Sequence, residues 1–125
     1  MVADFLHNLR LGDDFESWCV RLGVTLSDGR GCWAAILASE ESKQWPRWEL
    51  KVLHGARRLF LADSLLKMGD NTAASEELVY ALGHIARGLL LKSGIFPLSR
   101  PELAEQLRQN WARTLGHHSR ETADY

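Results

Sequence analysis

Leucine and alanine recur every three or four residues along most of this chain, and no segment shows sustained alternation of apolar and polar positions. The first spacing puts apolar side chains on one face of a helix, whereas a half-buried strand needs the alternation. Val, Ile and Thr, which favour strands, are sparse. The pattern predicts an all-α protein, an antiparallel bundle of four to five helices preceded by a short helical N-terminal lead-in.

The lead-in is expected over residues 1–43, packed on the bundle. Four glycines divide it into short helices: Gly12, Gly23, Gly29 and Gly31. Asp13 or Asp14 can cap one of these helices, because a carboxylate accepts from the free N–H groups of a first turn. Another short apolar helix is expected from Cys32 to Leu37.

Two longer helices follow, joined by a turn so short that they are expected to be antiparallel neighbours. Apolar residues continue at helical spacing from Trp48 to Leu66, and Gly69 is a suitable C-terminal stop. The next helix, which Gly94 closes, carries four apolar residues spaced by four, three and four: Leu78, Leu82, Ile85 and Leu89. This row is predicted to pack against another helix.

A last helix is predicted from the capping-box pattern of Ser99 and Glu102, in which each side chain bonds to the other residue's backbone N–H. Its apolar residues recur every four positions: Leu103, Leu107, Trp111 and Leu115. The stripe predicts that Trp111 lies in the core, and Gly116 is the predicted end of the helix. The predicted bundle therefore covers residues 44–118, and a polar tail follows over residues 119–125.

Composition narrows the class of protein but not its activity. The 125 residues are 46% apolar and 25% charged, which is typical of one folded domain. The formal charge of -1 argues against a broadly basic nucleic-acid-binding protein, although a local basic site stays open. Two cysteines are too few for a disulfide framework. With no targeting or membrane segment in the sequence, we expect a cytoplasmic protein.

The chain contains residue types that bind metals or act as nucleophiles, but not at the spacings that such sites require. His117 and His118 are adjacent, so on a helix they point about 100° apart and are poorly placed to bind one ion. No His-Glu-x-x-His pattern, phosphate-binding glycine loop or Gly-x-Ser-x-Gly elbow occurs. The sequence predicts neither a metal site nor a cofactor.

Basic residues suggest two other kinds of site. His84 and Arg87 lie three residues apart and share a helix face, and with Arg58 and Arg100 they are candidates for binding a substrate or another anion. The alternative is that these cations form the solvated rim of the bundle. Separately, Arg113 and His118 have four residues between them, a pair that suits metal-independent RNA cleavage, with arginine holding phosphate and histidine moving a proton.

Three segments then carry a resemblance to a known family. They are residues 56–66 (ARRLFLADSLL), residues 81–91 (ALGHIARGLLL) and residues 94–103 (GIFPLSRPEL). This order of segments resembles the HEPN-like helical domains that accompany minimal nucleotidyltransferases in bacteria and archaea. The lead-in is similar to the linker between a nucleotidyltransferase core and its helical domain.

The resemblance implies a non-catalytic accessory and substrate-binding module that forms a homodimer, works with a nucleotidyltransferase domain in cis or in trans, and shapes a site for a nucleotide or RNA. The sequence lacks the Gly-Ser and Asp-x-Asp motifs of a nucleotidyltransferase core, so that activity is not expected of this chain. Some family members are ribonucleases with an arginine and a histidine at the spacing of Arg113 and His118, and this is the alternative function. A helical protein-interaction domain, with an exposed apolar patch around Trp45 and Trp48 and no polar cleft, is the second alternative.

Overall fold

Helices make up all the regular secondary structure of residues 1–114, the part of the chain that the computed structural model describes. No strand occurs in these residues, so the predicted all-α helical fold is confirmed. The chain divides into two units, residues 1–47 and the residues from Trp48 onward. None of the described helices combines the length and apolar character that a bilayer crossing requires.

The first unit consists of three short α-helices and one turn of 3-10 helix. These are α1 (Val2–Leu11), α2 (Asp14–Leu22), α3 (Cys32–Ala38) and the 3-10 turn (Glu41–Lys43). Leu9 and Ile36 are its buried apolar side chains. The end of the unit is tied to its first loop, since the N–H of Arg47 donates to the carbonyl oxygen of Gly12 at 3.0 Å.

Aspartates begin two of these helices. Asp13 Oδ1 accepts from the N–H of Phe15 at 3.0 Å, which confirms the predicted cap of α2. The carboxylate of Asp28 accepts from the N–H groups of Trp33 and Ala34, at 3.0 and 2.9 Å. These bonds, led by the one from Ala34, hold the pKa of Asp28 below its ordinary value. A side chain in the preceding loop therefore holds the first turn of α3.

The second unit is built on a helical hairpin. Its elements are α4 (Trp48–Lys67), α5 (Asn71–Lys92) and α6 (Arg100–Gln109). Gly69 ends the first helix at φ 85°, as predicted, and Asp70 Oδ1 then accepts from the N–H of Ala73 at 3.0 Å to begin the next. Because the connection is so short, α4 and α5 run antiparallel along each other.

Small residues form the line of contact between α4 and α5. A Cβ at Gly55 would lie 2.7 Å from Cγ1 of Ile85, and one at Gly88 would lie 3.1 Å from Cγ2 of Val52. Three buried alanines continue the same line: Ala62, Ala74 and Ala81. The prediction that the leucine row fills a helix contact is wrong for Leu78 and Leu82, which are 38% and 65% exposed.

The last described helix differs from its prediction in two respects. The hydroxyl of Ser99 bonds to the carboxylate of Glu102 and not to its backbone N–H, so the reciprocal capping box does not form. The helix also ends at Gln109, where Asn110 bonds through its side chain to the carbonyl oxygen of Gln106 at 2.8 Å. Residues 111–114 form a separate helical segment. Trp111 lies with Leu107 on the wall of an open groove, and it is 56% exposed and not in the core.

Candidate ligand-binding site

Tyr80, on α5, interacts with arginines from both neighbouring helices. Cζ of Arg58, on α4, lies 5.5 Å from the centre of the tyrosine ring, and Cζ of Arg100, at the start of α6, lies 4.5 Å from it. Both distances are within the range of cation–π attraction. The structure thus brings two of the four predicted anion-binding residues together around a tyrosine that was not among the predicted site residues.

The two arginines differ in what balances their charge. Nη1 of Arg58 donates to both carboxylate oxygens of Glu77, at 3.0 and 2.9 Å, and this ion pair is partly shielded from solvent. Arg100 forms no ion pair with any residue in the described part of the chain. A guanidinium that stacks on an aromatic ring keeps its N–H groups in its own plane, where they remain available to a ligand. Arg100 is therefore the arginine of this cluster whose donors and charge are open to an anion.

An open groove runs beside Arg100. Five of the described residues line it: Ser75, Glu76, Val79, Tyr80 and Arg100. We call it the tyrosine groove. Its volume is about 370 Å³, which falls within the range of small-molecule sites. The groove combines an apolar wall with an arginine and a carboxylate, and is thus suited to a small polar ligand.

His84 and Arg87, the other two predicted anion-binding residues, do not line the tyrosine groove. The ring of His84 meets that of His54, on α4, edge to face at a centroid distance of 5.6 Å. Arg87 is half-buried one turn further along α5. His54 and His84 bring two imidazoles together, yet within residues 1–114 no three His, Cys, Asp or Glu side chains are grouped to hold a metal ion.

The residues considered for nucleophilic or acid–base chemistry are not assembled into a site within the described residues. Burial, together with the nearby charge of Glu16, raises the pKa of the Cys19 thiol, which is the opposite of what a thiolate nucleophile requires. Arg113 is exposed in the segment 111–114. His118, its predicted catalytic partner, lies outside the described residues, so the ribonuclease hypothesis stays a prediction.

A periodic signal for Tyr80 was present in the sequence. Four polar or aromatic residues of α5 are spaced by three, four and three: Glu77, Tyr80, His84 and Arg87. This spacing puts all four on one face of the helix, although only His84 and Arg87 were predicted to bind an anion. The approach of Arg100 has no such signal, because it depends on how α6 packs after the loop.

Comparison with known proteins identifies no relative. No family model matches this sequence, and no curated protein or solved structure matches it either.

Proposed function

We propose that this chain is a non-catalytic helical module of a nucleotidyltransferase system, which forms a dimer and presents a substrate-binding surface to the catalytic partner. The resemblance of its helices to HEPN-like domains supports the link to nucleotidyltransferases. The observation that carries the proposal is an apolar surface along the hairpin that the described residues leave uncovered. We call it the α4–α5 apolar face, and its members are Val52, Leu59, Phe60, Leu78 and Leu82.

Helical geometry places these residues on one side of the hairpin. Starting from Gly55, which touches α5, Leu59 is turned about 40° to one side and Arg58 about 60° to the other. On α5, Leu82 is turned about 100° to one side of Ala81, and Tyr80 is turned about 100° to the other side. Arg58 and Tyr80 contact each other across the hairpin, so they lie on the same side of it. The apolar residues therefore share the opposite side.

The area of this face fits an interface between two copies of the chain. Phe60 is 76% exposed, and the five side chains together present on the order of 450 Å² of apolar surface. A stable interface buries about 800 Å² on each partner, of which about 65% is apolar in homodimers, or roughly 500 Å². Two hairpins joined through this face would form a four-helix arrangement about a two-fold axis. The Arg58–Tyr80 side would remain open to a substrate in each copy.

The same face also supports the second candidate, a protein-interaction domain, because an exposed apolar surface of this size fits a heterologous partner as well. The two functions differ in what the chain does to a nucleotidyltransferase. An accessory module binds the enzyme and changes the rate at which it transfers a nucleotidyl group. An unrelated interaction domain does neither.

Sedimentation velocity of the full chain tests the proposal, followed by a nucleotidyl-transfer assay with an enzyme encoded beside it. We expect a dimer that Leu82→Glu converts to monomer, because the new carboxylate would be buried in the interface. Leu61→Glu is the matched control, since Leu61 is an exposed leucine of α4 that points away from the face. A monomeric wild-type chain, or a dimer that leaves the enzyme unbound and its rate unchanged, would refute the proposal.

A further inference from the structure

The tyrosine groove contains two opposite charges that no described residue neutralises. Arg100 and Glu76 both line it, and neither forms an ion pair with the other or with any other residue in positions 1–114. The other two charges close to Tyr80, those of Arg58 and Glu77, neutralise each other, since Nη1 of Arg58 donates to both carboxylate oxygens. The groove therefore presents one cation and one anion to whatever occupies it.

We infer that the tyrosine groove binds a small phosphomonoester that also carries an amino group. A phosphoryl group suits Arg100, since two parallel N–H groups of a guanidinium match two phosphate oxygens. Glu76 would repel a plain phosphate and attract a ligand whose ammonium group lies next to it. The exposed side chain of Val79 supplies an apolar surface for the carbon atoms that link the two groups.

Tyr80 acts in this site as a positioning residue. Its ring supports the guanidinium of Arg100 from one helix and that of Arg58 from another, at 4.5 and 5.5 Å. A side chain held in one orientation loses less conformational entropy when a ligand binds than a free arginine would. The aromatic ring provides this support, so phenylalanine at position 80 is expected to preserve binding and leucine to weaken it.

This inference rests on the proposed substrate-binding role, and its test uses the isolated full chain with defined probes. O-phosphoethanolamine and its three- and four-carbon homologues carry the amine at different distances from the phosphate, and ethyl phosphate lacks it. A single charge-assisted site in an open groove supports a Kd on the order of 1 mM, so binding is followed by NMR chemical-shift titration. We expect at least one amino phosphate to bind more tightly than ethyl phosphate.

Four variants separate the contributions to binding. Arg100→Gln is expected to weaken every probe by about tenfold or more, because it removes a charge-assisted bond to the phosphate. Arg57→Gln is the matched control, being the same change at an exposed arginine outside the groove. Glu76→Gln is expected to abolish the preference for the amino phosphate over ethyl phosphate. Tyr80→Phe is expected to bind like the wild type, and far-UV circular dichroism verifies that each variant is folded.

Three results would overturn the inference: equal binding of amino and alkyl phosphates to the wild type, equal loss in the Arg100 and Arg57 variants, or no binding of any probe. The outcome is independent of the dimer test. A monomer that still binds amino phosphates through Arg100 refutes the proposed accessory function alone. A dimer that stimulates the enzyme but fails this titration refutes the inference alone.

Discussion

Replacing Gly55 by alanine perturbs the α4–α5 contact at a single defined point. The added Cβ would lie 2.7 Å from Cγ1 of Ile85 and 3.2 Å from the backbone oxygen of Ala81. Carbon atoms in favourable contact are about 3.5–4.0 Å apart, so the first distance is short by roughly 1 Å. The oxygen belongs to the backbone of α5 and cannot rotate away, which means that the two helices have to separate locally or Ile85 has to change rotamer.

Two opposing terms set the size of the effect on the free energy of unfolding. Alanine is a better helix former than glycine by about 1 kcal/mol, which favours the variant. Forcing an extra carbon into a packed contact costs about 1–3 kcal/mol. We therefore expect Gly55→Ala to lower the stability of the chain by about 1 kcal/mol, which corresponds to a decrease in Tm of roughly 4 °C for a domain of this size.

Gly83→Ala is the matched control on the same hairpin. A Cβ at Gly83 would meet only Nη1 of Arg87, at 3.3 Å, and the far end of a flexible side chain can move aside. The control should therefore gain up to about 1 kcal/mol from helix propensity alone. Urea unfolding followed by far-UV circular dichroism measures both variants. Equal stabilisation by the two substitutions would show that α4 and α5 are not in close contact at Gly55 and would refute the reasoning.

Two further predictions concern stability. Asp28→Ala is expected to destabilise the first unit at neutral pH. The difference in Tm from the wild type should shrink as the pH falls below about 4, because a carboxylate whose pKa is lowered by folding stabilises the fold only while it is ionised. A difference in Tm that is constant with pH would contradict this. Leu90→Ala, at a fully buried site, is expected to lower the free energy of unfolding by about 2–5 kcal/mol, whereas Leu82→Ala, on the exposed face of the monomer, should lower it by less than about 1 kcal/mol. Urea unfolding at low protein concentration compares the two variants. Similar losses of stability would contradict the assigned burial.

The ends of most helices were predictable because the residues that end helices act locally. Gly69 and Asp70 separate α4 from α5 through a left-handed residue and a side-chain cap, and both signals need only a few neighbouring residues. The prediction failed for the capping box, because its residue pattern allows two hydrogen-bonding arrangements. Ser99 and Glu102 satisfy the capping-box pattern, yet their side chains bond to each other.

The line of contact between the long helices was misassigned because leucine was given more weight than glycine and alanine. Small residues recur at intervals of seven on both helices: Gly55 and Ala62 on α4, and Ala74, Ala81 and Gly88 on α5. Gly55 and Gly88 each cost about 1 kcal/mol of helix stability relative to alanine, and the close approach of the two helices is a physical reason for their presence. The row of small residues was thus a readable signal, whereas the stacking of Arg100 on Tyr80, across 20 positions of sequence, was not.

The close approach at the small residues also explains why the apolar face exists. When helices meet through glycine and alanine, the leucines that flank the contact cannot all turn inward, and Leu59, Leu78 and Leu82 stay 40%, 38% and 65% exposed. Fully burying one exposed leucine stabilises a protein by about 1.5–3 kcal/mol, so covering the α4–α5 apolar face would contribute several kcal/mol to the free energy of association. That burial favours association on this side of the hairpin, while the arginines and Tyr80 on the other side stay accessible to a ligand. The packing of α4 on α5 thereby puts the face that we propose for assembly and the groove that we propose for binding on different sides of the hairpin.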